Sequence, residues 1–294
     1  MRMPTTLARS FTLTALLAAA GGAAAQTPVA NPMPDGSRDM YLGLGLQSAN
    51  RYEGGSGRHL LLMPVLQAEW SNGVFISGAS AGMHWSGSEG LEYGPLLSLH
   101  PGRSERGRAL TGAGLSGTGS NTALPPLLMG GWPAMTRMTG MPDVPRRLEG
   151  GAFLTWYLNP QWRLANSVLY GAGRERDGLR ATVDLQRVAA AVAPHHTLSF
   201  TAGITLADAH YNRALFGVTP AQELVGANFV RRPYAPGGGV KDVHAGVRWN
   251  WALAPSWMLT SGAHAARLAG DAKASPLVER PTSVTAWSAL AYRF

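Results

Sequence analysis

Between residues 243 and 253 the side chains change character at every step, and this period of two constrains the fold more than any other feature. Val243, Ala245, Val247, Trp249, Trp251 and Leu253 fall on one face, and His244, Gly246, Arg248, Asn250 and Ala252 on the other. A helix would group apolar residues three and four apart, whereas a strand separates neighbours onto opposite faces. The same alternation sets Leu198, Phe200, Ala202, Ile204 and Leu206 against Thr197, Ser199, Thr201, Gly203 and Thr205. Near the start it sets Met40, Leu42, Leu44 and Leu46 against Tyr41, Gly43, Gly45 and Gln47. The chain therefore reads as an all-β protein with two unlike sheet faces. Alternation alone fits a soluble sandwich as well as a barrel, so the environment must come from elsewhere.

The first residues supply it. Arg2 and Arg9 form a positive segment, Phe11 to Ala20 is an apolar run, and Ala23-Ala24-Ala25 precedes Gln26. This is the layout of a secretory signal peptide over 1–25, cleaved between Ala25 and Gln26. Residues 26–38 are proline-rich and polar and read as a flexible periplasmic lead-in, which leaves 39–294 for the barrel domain. No later stretch is long and apolar enough for a spanning helix. Cysteine is absent, so an exported chain must draw its stability from a large hydrogen-bonded framework. A closed barrel provides one, because every backbone group pairs along the ladder. The formal charge of +8 suits a polar lumen or the phosphates of outer-membrane lipid and lipopolysaccharide; export excludes nucleic acid as the partner.

The turns point to a membrane. Trp156 to Trp162 and Trp251 to Trp257 share the pattern W-x-L-x-P-x-W. Each places two tryptophans around a tight proline turn, so Trp156, Trp162, Trp251 and Trp257 would form part of an aromatic girdle at one membrane boundary. Alternating runs predict about twelve strands, near 40–48, 60–70, 73–85, 91–100, 127–138, 147–158, 161–171, 180–193, 195–207, 243–254, 256–268 and 284–294. The expected fold is a transmembrane antiparallel outer-membrane β-barrel. Short turns fall on the periplasmic side and long loops outside, and 101–126 is the one long connection this count leaves in the periplasm.

The chain closes on Leu290, Tyr292 and Phe294, with apolar residues at every second place before an aromatic terminus. This resembles the signal read by the barrel-insertion machinery of the outer membrane. Further segments carry a family resemblance. They are Tyr52-Glu53-Gly54 with Pro64, Gly94-Pro95 with Gly102-Arg103, Tyr211, Phe216-Gly217-Val218-Thr219, and Tyr234 to Gly239. Leu268 to Ala272 and Ser275 to Val278 follow, and the match ends on Tyr292-Arg293-Phe294. Together these resemble the MipA/OmpV family of outer-membrane proteins, named for a protein that interacts with the lytic transglycosylase MltA. The resemblance implies a barrel, an outer-membrane address and, for some members, a scaffold between peptidoglycan-degrading and peptidoglycan-synthesising enzymes. Other members are described as surface adhesins.

Residues that could carry chemistry are sparse. His195-His196, His210, His244 and His264 lack the i+2 or i+4 partner that a zinc site uses. Asp208, His210, Asp271 and Ser275 fall in predicted outer loops, without a nucleophile motif such as G-x-S-x-G. Pro236 to Gly239 is followed by Lys241-Asp242, not by the Lys-Ser/Thr pair of a phosphate loop. The reading is a protein without enzymatic activity, cofactor or metal. Arg103, Arg106 and Arg108 form the densest basic cluster and are the candidate contact for an acidic periplasmic partner. Two functions remain: a structural scaffold linking cell-wall enzymes to the outer membrane, and a narrow channel for small solutes. Gln47, Arg163, Arg248 and Trp287 are bulky lumen candidates that would restrict the second.

Overall fold

The computed structural model describes residues 38–103, 137–171, 178–225 and 229–294. The expected leader 1–25 and most of the lead-in lie outside them. Among the described residues the wall begins with β1 (Arg38–Asn50) and β2 (Arg58–Trp70). Two four-residue strands follow, β3 (Val74–Ser77) and β4 (Ser80–Met83), the latter continued by β5 (Trp85–Ser88). Next come β6 (Leu91–His100), β7 (Arg147–Tyr157), β8 (Trp162–Gly171), β9 (Gly178–Ala193) and β10 (His196–Ala207). After helix α1 (Ala209–Phe216) a small ribbon forms from β11 (Leu224–Val225) and β12 (Val230–Arg231). The wall resumes with β13 (Gly239–Ala254) and β14 (Trp257–Leu268), then helix α2 (Gly270–Ala274) and β15 (Thr282–Arg293).

All pairings are antiparallel. β15 pairs with both β14 and β1, and β4 pairs with β6, so twelve strands form a closed ring. β5 extends β4 along β6, where Trp85 stands opposite Tyr93. The hydropathy of this ring is inside out. Leu42, Leu44 and Leu46 are 55%, 60% and 52% exposed on the outer wall, while Gln47 beside them is 3% exposed and points inward. So many apolar side chains on one continuous exterior would be a severe liability in water and are the requirement of a hydrocarbon slab. No helix of the described residues is long and apolar enough to cross a membrane; the strands are the spanning elements.

The predicted total of twelve strands holds, but one member is different. The run 73–85 is not one strand: it folds back at Gly78-Ala79, with Ser77 opposite Ser80, and supplies two wall strands. The predicted strand 127–138 falls mostly outside the described residues, and its end, Arg137 and Met138, belongs to a turn. The exchange has a geometric consequence. An extra hairpin reverses the direction of β6, so 101–103 and 137–146 lie at the same end as 51–57, 208–225, 229–238 and 269–281. The expectation of a long connection at the opposite end is therefore corrected. That opposite end carries only short turns, at 71–73, 89–90, 158–161, 194–195 and 255–256.

Near the short turns the lumen is packed with side chains. Phe75, His84 and Phe153 meet with ring centroids 4.4–5.8 Å apart. Met63 and Val65 pack against Ala289 and Trp287.

Candidate functional site

At the loop end the connections fold over the barrel mouth as a cap. Asp208 caps the N-terminus of α1, its carboxylate accepting from Tyr211 N at 2.7 Å, a usual device for the unpaired donors of a first turn. This sets α1 across the mouth with Tyr211, Leu215 and Phe216 buried against Val144, Leu268, Ala272 and Val278. A second cluster joins Tyr52, Met138, Met141, Val218 and Leu277, with Tyr234 beside it.

Polar bonds fasten the same loops. Tyr52 Oη donates to Glu279 Oε1 at 2.9 Å, and Arg137 Nη1 donates to Pro276 O and Val278 O at 3.0 and 3.1 Å. Arg231 Nη1 donates to Arg137 O and Thr139 O, and Ser275 Oγ to Phe216 O at 2.7 Å. Burial, reinforced by the hydrogen bond to Glu279, pushes the Tyr52 hydroxyl pKa far up.

Glu279 is the acid at this junction. Burial alone would raise its pKa, but hydrogen bonds from Ser56 Oγ, Ser56 N, Tyr52 Oη and Arg137 N outweigh it and hold the carboxyl below its ordinary 4.5. A group with a depressed folded-state pKa adds stability above its unfolded value, and this is lost as pH falls through the folded value. The cap is therefore expected to loosen below about pH 4.5. Hydrogen exchange at 52–57 and 276–280 should accelerate there, and Glu279→Gln should be loose already at neutral pH. A Glu279→Gln protein with the unaltered acid profile would refute this.

Beneath the cap lies a chamber of about 350 Å³. Its rim is a charge network. Lys241 Nζ donates to Glu53 Oε1 at 2.6 Å and lies 3.0 Å from Asp242 Oδ2, which ties loop 51–57 to the wall. His244 stands between two acids, with Nδ1 2.8 Å from Asp242 Oδ1 and Nε2 2.7 Å from Asp184 Oδ1. Gly203 occupies the strand between Asp184 and His244 and is paired with both. A Cβ there would come within 2.0 Å of the Asp184 carboxylate, so only glycine lets the bond cross. Across the chamber Glu149 holds Arg180 at 2.9 Å and Arg147 at 3.3 Å. Tyr211 descends from α1 with Arg147 and Lys241 5.5 and 5.9 Å from its ring centroid, and lies 3.3 Å from His100 Nε2. Burial raises the Tyr211 pKa, keeping the hydroxyl neutral.

The sequence-selected residues fall in three places. Leu290, Tyr292 and Phe294 face outward at 41%, 43% and 55% exposure on or beside the closing strand, where Phe294 N donates to Met40 O. Trp156, Trp162, Trp251 and Trp257 surround the turns 158–161 and 255–256; Trp257 packs edge-on against Tyr292 at 5.1 Å, and Trp251 stacks with His196 at 5.2 Å. Ala25, Gln26, Arg106 and Arg108 lie outside the described residues. Arg103 is not on a free periplasmic segment. It is 8% exposed inside the cap and donates to Leu215 O; its sequence neighbourhood looked solvated because its enclosing loops are remote in the chain. Asp208, Asp271 and Ser275 are engaged in backbone contacts of the cap, Asp271 accepting from Gly237 N at 2.7 Å. No cluster of three potential metal ligands occurs among the described residues. Sequence reading missed the Glu149 and Glu53–Lys241 pairs, although each acid and base sits on an inward-facing or loop position.

A family model described as MltA-interacting protein MipA matches residues 42–294, from within β1 to the last residue. The chain belongs to the MipA family. The segments that carried the resemblance in this MipA-family chain are largely those that build the cap: Tyr52, Phe216 to Thr219, Tyr234 to Gly239 and Leu268 to Val278. It is an outer-membrane β-barrel protein, with its outer wall in contact with lipid. No curated protein matches it. Among solved structures it is similar to the NanC porin, at 8% identity over 88% of this chain and 100% of that one, with a TM-score of 0.39. It is similar also to an outer membrane channel from Pseudomonas putida F1, at 9% identity over 91% and 98% with a TM-score of 0.40. The toluene transporter TbuX of Ralstonia pickettii gives 10%, 89%, 90% and 0.35 in the same order. Likeness at this level extends to no ligand and no pathway.

Proposed function

We propose that this MipA-family barrel is a non-enzymatic structural protein that anchors cell-wall (peptidoglycan) enzymes at the outer membrane, and not an open pore. One observation carries the reading: the lumen is obstructed by side chains toward the short-turn end and roofed by the cap at the other. A barrel filled in this way works through its surface. The family's description as MltA-interacting supports a lytic transglycosylase as the partner, with a peptidoglycan synthase as the other candidate. With Arg103 enclosed in the cap, the docking surface moves to the short turns, which take the periplasmic side.

Photocrosslinking residues placed at Gln161, His195 and Ser256 in intact envelopes should yield adducts with a lytic transglycosylase or synthase, and the same residues at Glu223 and Lys273 should not. Adducts from the cap alone, or from neither end, would overturn the anchor reading. The polar chamber favours a narrow channel as the second reading. Planar-bilayer recording separates the two, since a steady porin-like conductance would establish the channel.

A further inference from the structure

We infer that the outward face of β2, β1, β15 and β14 carries, at the loop end, a binding site for the phosphates of lipopolysaccharide. Height along the wall comes first. On β14 the exposed Trp257 stands beside the short turn 255–256, and Arg267, exposed on the same face, lies ten residues further on. At about 3.4 Å per residue and a strand tilt of about 40°, ten residues climb about 25 Å, the height of the apolar band. Arg267 is therefore at the opposite boundary of the hydrocarbon. Between the two, the outward positions Leu259, Ser261, Ala263 and Ala265 carry no charge. Trp156 on β7 and Arg146, exposed just ahead of that strand, repeat the interval.

Arg267 is not alone at that boundary. Arg58, at the start of β2, lays its guanidinium across β1: Nη2 donates to Ser48 O at 3.2 Å and Ser48 Oγ at 2.9 Å, and Nη1 to Val284 O on β15 at 2.9 Å. Arg267 stands opposite Thr282, and Ala265 opposite Val284. Arg267 and Val284 are thus diagonal neighbours on one face, about 7–8 Å apart. Two guanidiniums approach Val284 from either side, and Arg280 adds a third, exposed two residues before Thr282. No acid answers them. The outward residues around them, Ser48, Asn50, Thr282, Val284 and Ala265, are uncharged. Glu279, beside Arg280 in the chain, accepts from Tyr52, Ser56 and Arg137 in the cap. The side chains of Arg267 and Arg280 have neither hydrogen bond nor ion pair among the described residues. Like charges gathered at the edge of an apolar slab repel one another unless an anion joins them, and a phosphate accepts from several guanidiniums at once. Below them Leu60, Leu62, Leu44 and Leu46 are exposed, a surface for acyl chains attached to that phosphate. Free phosphate would leave these leucines uncovered; a phosphorylated lipid matches both parts. With the short turns on the periplasmic side, as proposed above, this boundary belongs to the outer leaflet, whose phosphorylated lipid is lipopolysaccharide.

The test follows fluorescently labelled lipopolysaccharide by anisotropy as it binds the full chain in detergent micelles. Unlabelled lipopolysaccharide, the same material dephosphorylated, phosphatidylglycerol and inorganic phosphate serve as competitors, and only the first should compete strongly. Arg58→Gln and Arg267→Gln should each weaken binding by about tenfold, the equivalent of one charge-assisted hydrogen bond, and the double variant by more. Arg213→Gln, at an exposed position on α1, should change nothing. Heat-modifiable migration confirms that the variants still form barrels. Photocrosslinking residues at Thr282 and Tyr292 in intact envelopes report the leaflet, and lipopolysaccharide adducts should come from Thr282 alone. Equal competition by the dephosphorylated material, by phosphatidylglycerol or by inorganic phosphate overturns the proposal, as does affinity indifferent to the double variant. Adducts from Tyr292 in place of Thr282 overturn it too, and with micelle binding intact they trace the failure to the orientation.

Discussion

Replacing Leu44 with arginine should destabilise the barrel in a bilayer by about 2–4 kcal/mol, the usual penalty for a cation on the lipid face near the midplane. Leu44 stands at the centre of β1, 60% exposed, with Leu42 and Leu46 beside it on the same wall. In water such a substitution would relieve an apolar surface. In lipid it places a guanidinium where neither water nor a counter-charge is available, so the sign of the effect reports the environment. The control is Thr182→Arg, which enters the chamber of about 350 Å³, bordered by the hydroxyls of Ser199, Thr201 and Thr205 and not by lipid. Its cost should stay within about 1 kcal/mol, provided the chamber accommodates the added volume. Urea titrations in lipid vesicles, followed by heat-modifiable migration, measure both. Equal tolerance of the two changes would remove the membrane assignment of the outer face.

That facing was legible in the sequence, because alternation is a local property. Each of Ser199, Thr201 and Thr205 lines the chamber, and Phe200, Ile204 and Leu206 are exposed on the outside, as the period of two requires. Direction is not local. The turn at Gly78-Ala79 is two residues long and leaves the alternation of 73–85 uninterrupted, so the pattern reads straight through it. Each missed hairpin reverses every later connection until a compensating error restores the count. In the predicted count the run 127–138, mostly outside the described residues, restored the number. The strands after Arg147 kept their directions, and the end of β6 at His100, with Pro101 to Arg103 after it, moved to the other end of the barrel.

The chamber was legible only in part, for a different physical reason. His244 lay on the inward face by alternation, but its partners depend on lateral register. Asp184 and His244 meet because β9, β10 and β13 align Asp184, Gly203 and His244 in one row. The side-chain pattern of a single strand carries no information on that row. Glu53 and Lys241 are 188 positions apart, and nothing short of the closed ring brings them together. A usable signal was present all the same. A glycine at an inward position between two strands that carry opposite charges marks a place where an ion pair can cross.

Glu149 tests that principle with the largest effect expected in the molecule. Its carboxylate is 1% exposed and shared by two guanidiniums, Arg180 at 2.9 Å and Arg147 at 3.3 Å. Gly171 lies directly opposite Glu149 on β8 and is itself paired with Gly178 on β9; a Cβ at Gly171 would come within 2.8 Å of Arg147 Nε. Glu149→Ala removes the charge that both cations share and leaves them in mutual repulsion, a change that typically costs about 3–5 kcal/mol when such a group is buried. Glu149→Gln keeps an acceptor for one of the two and should fall between wild type and alanine. The effect should also reach the cap, since Arg147 lies against the ring of Tyr211, so hydrogen exchange in α1 should rise. Removing Arg180 as well eliminates one of the stranded charges, and the double variant Glu149→Ala/Arg180→Ala should regain about 1–2 kcal/mol relative to simple addition of the two losses. Urea titrations of the four proteins form the cycle. A loss below about 1 kcal/mol for Glu149→Ala, or strict additivity with Arg180→Ala, would show that lumen water screens the network and that the barrel does not depend on it.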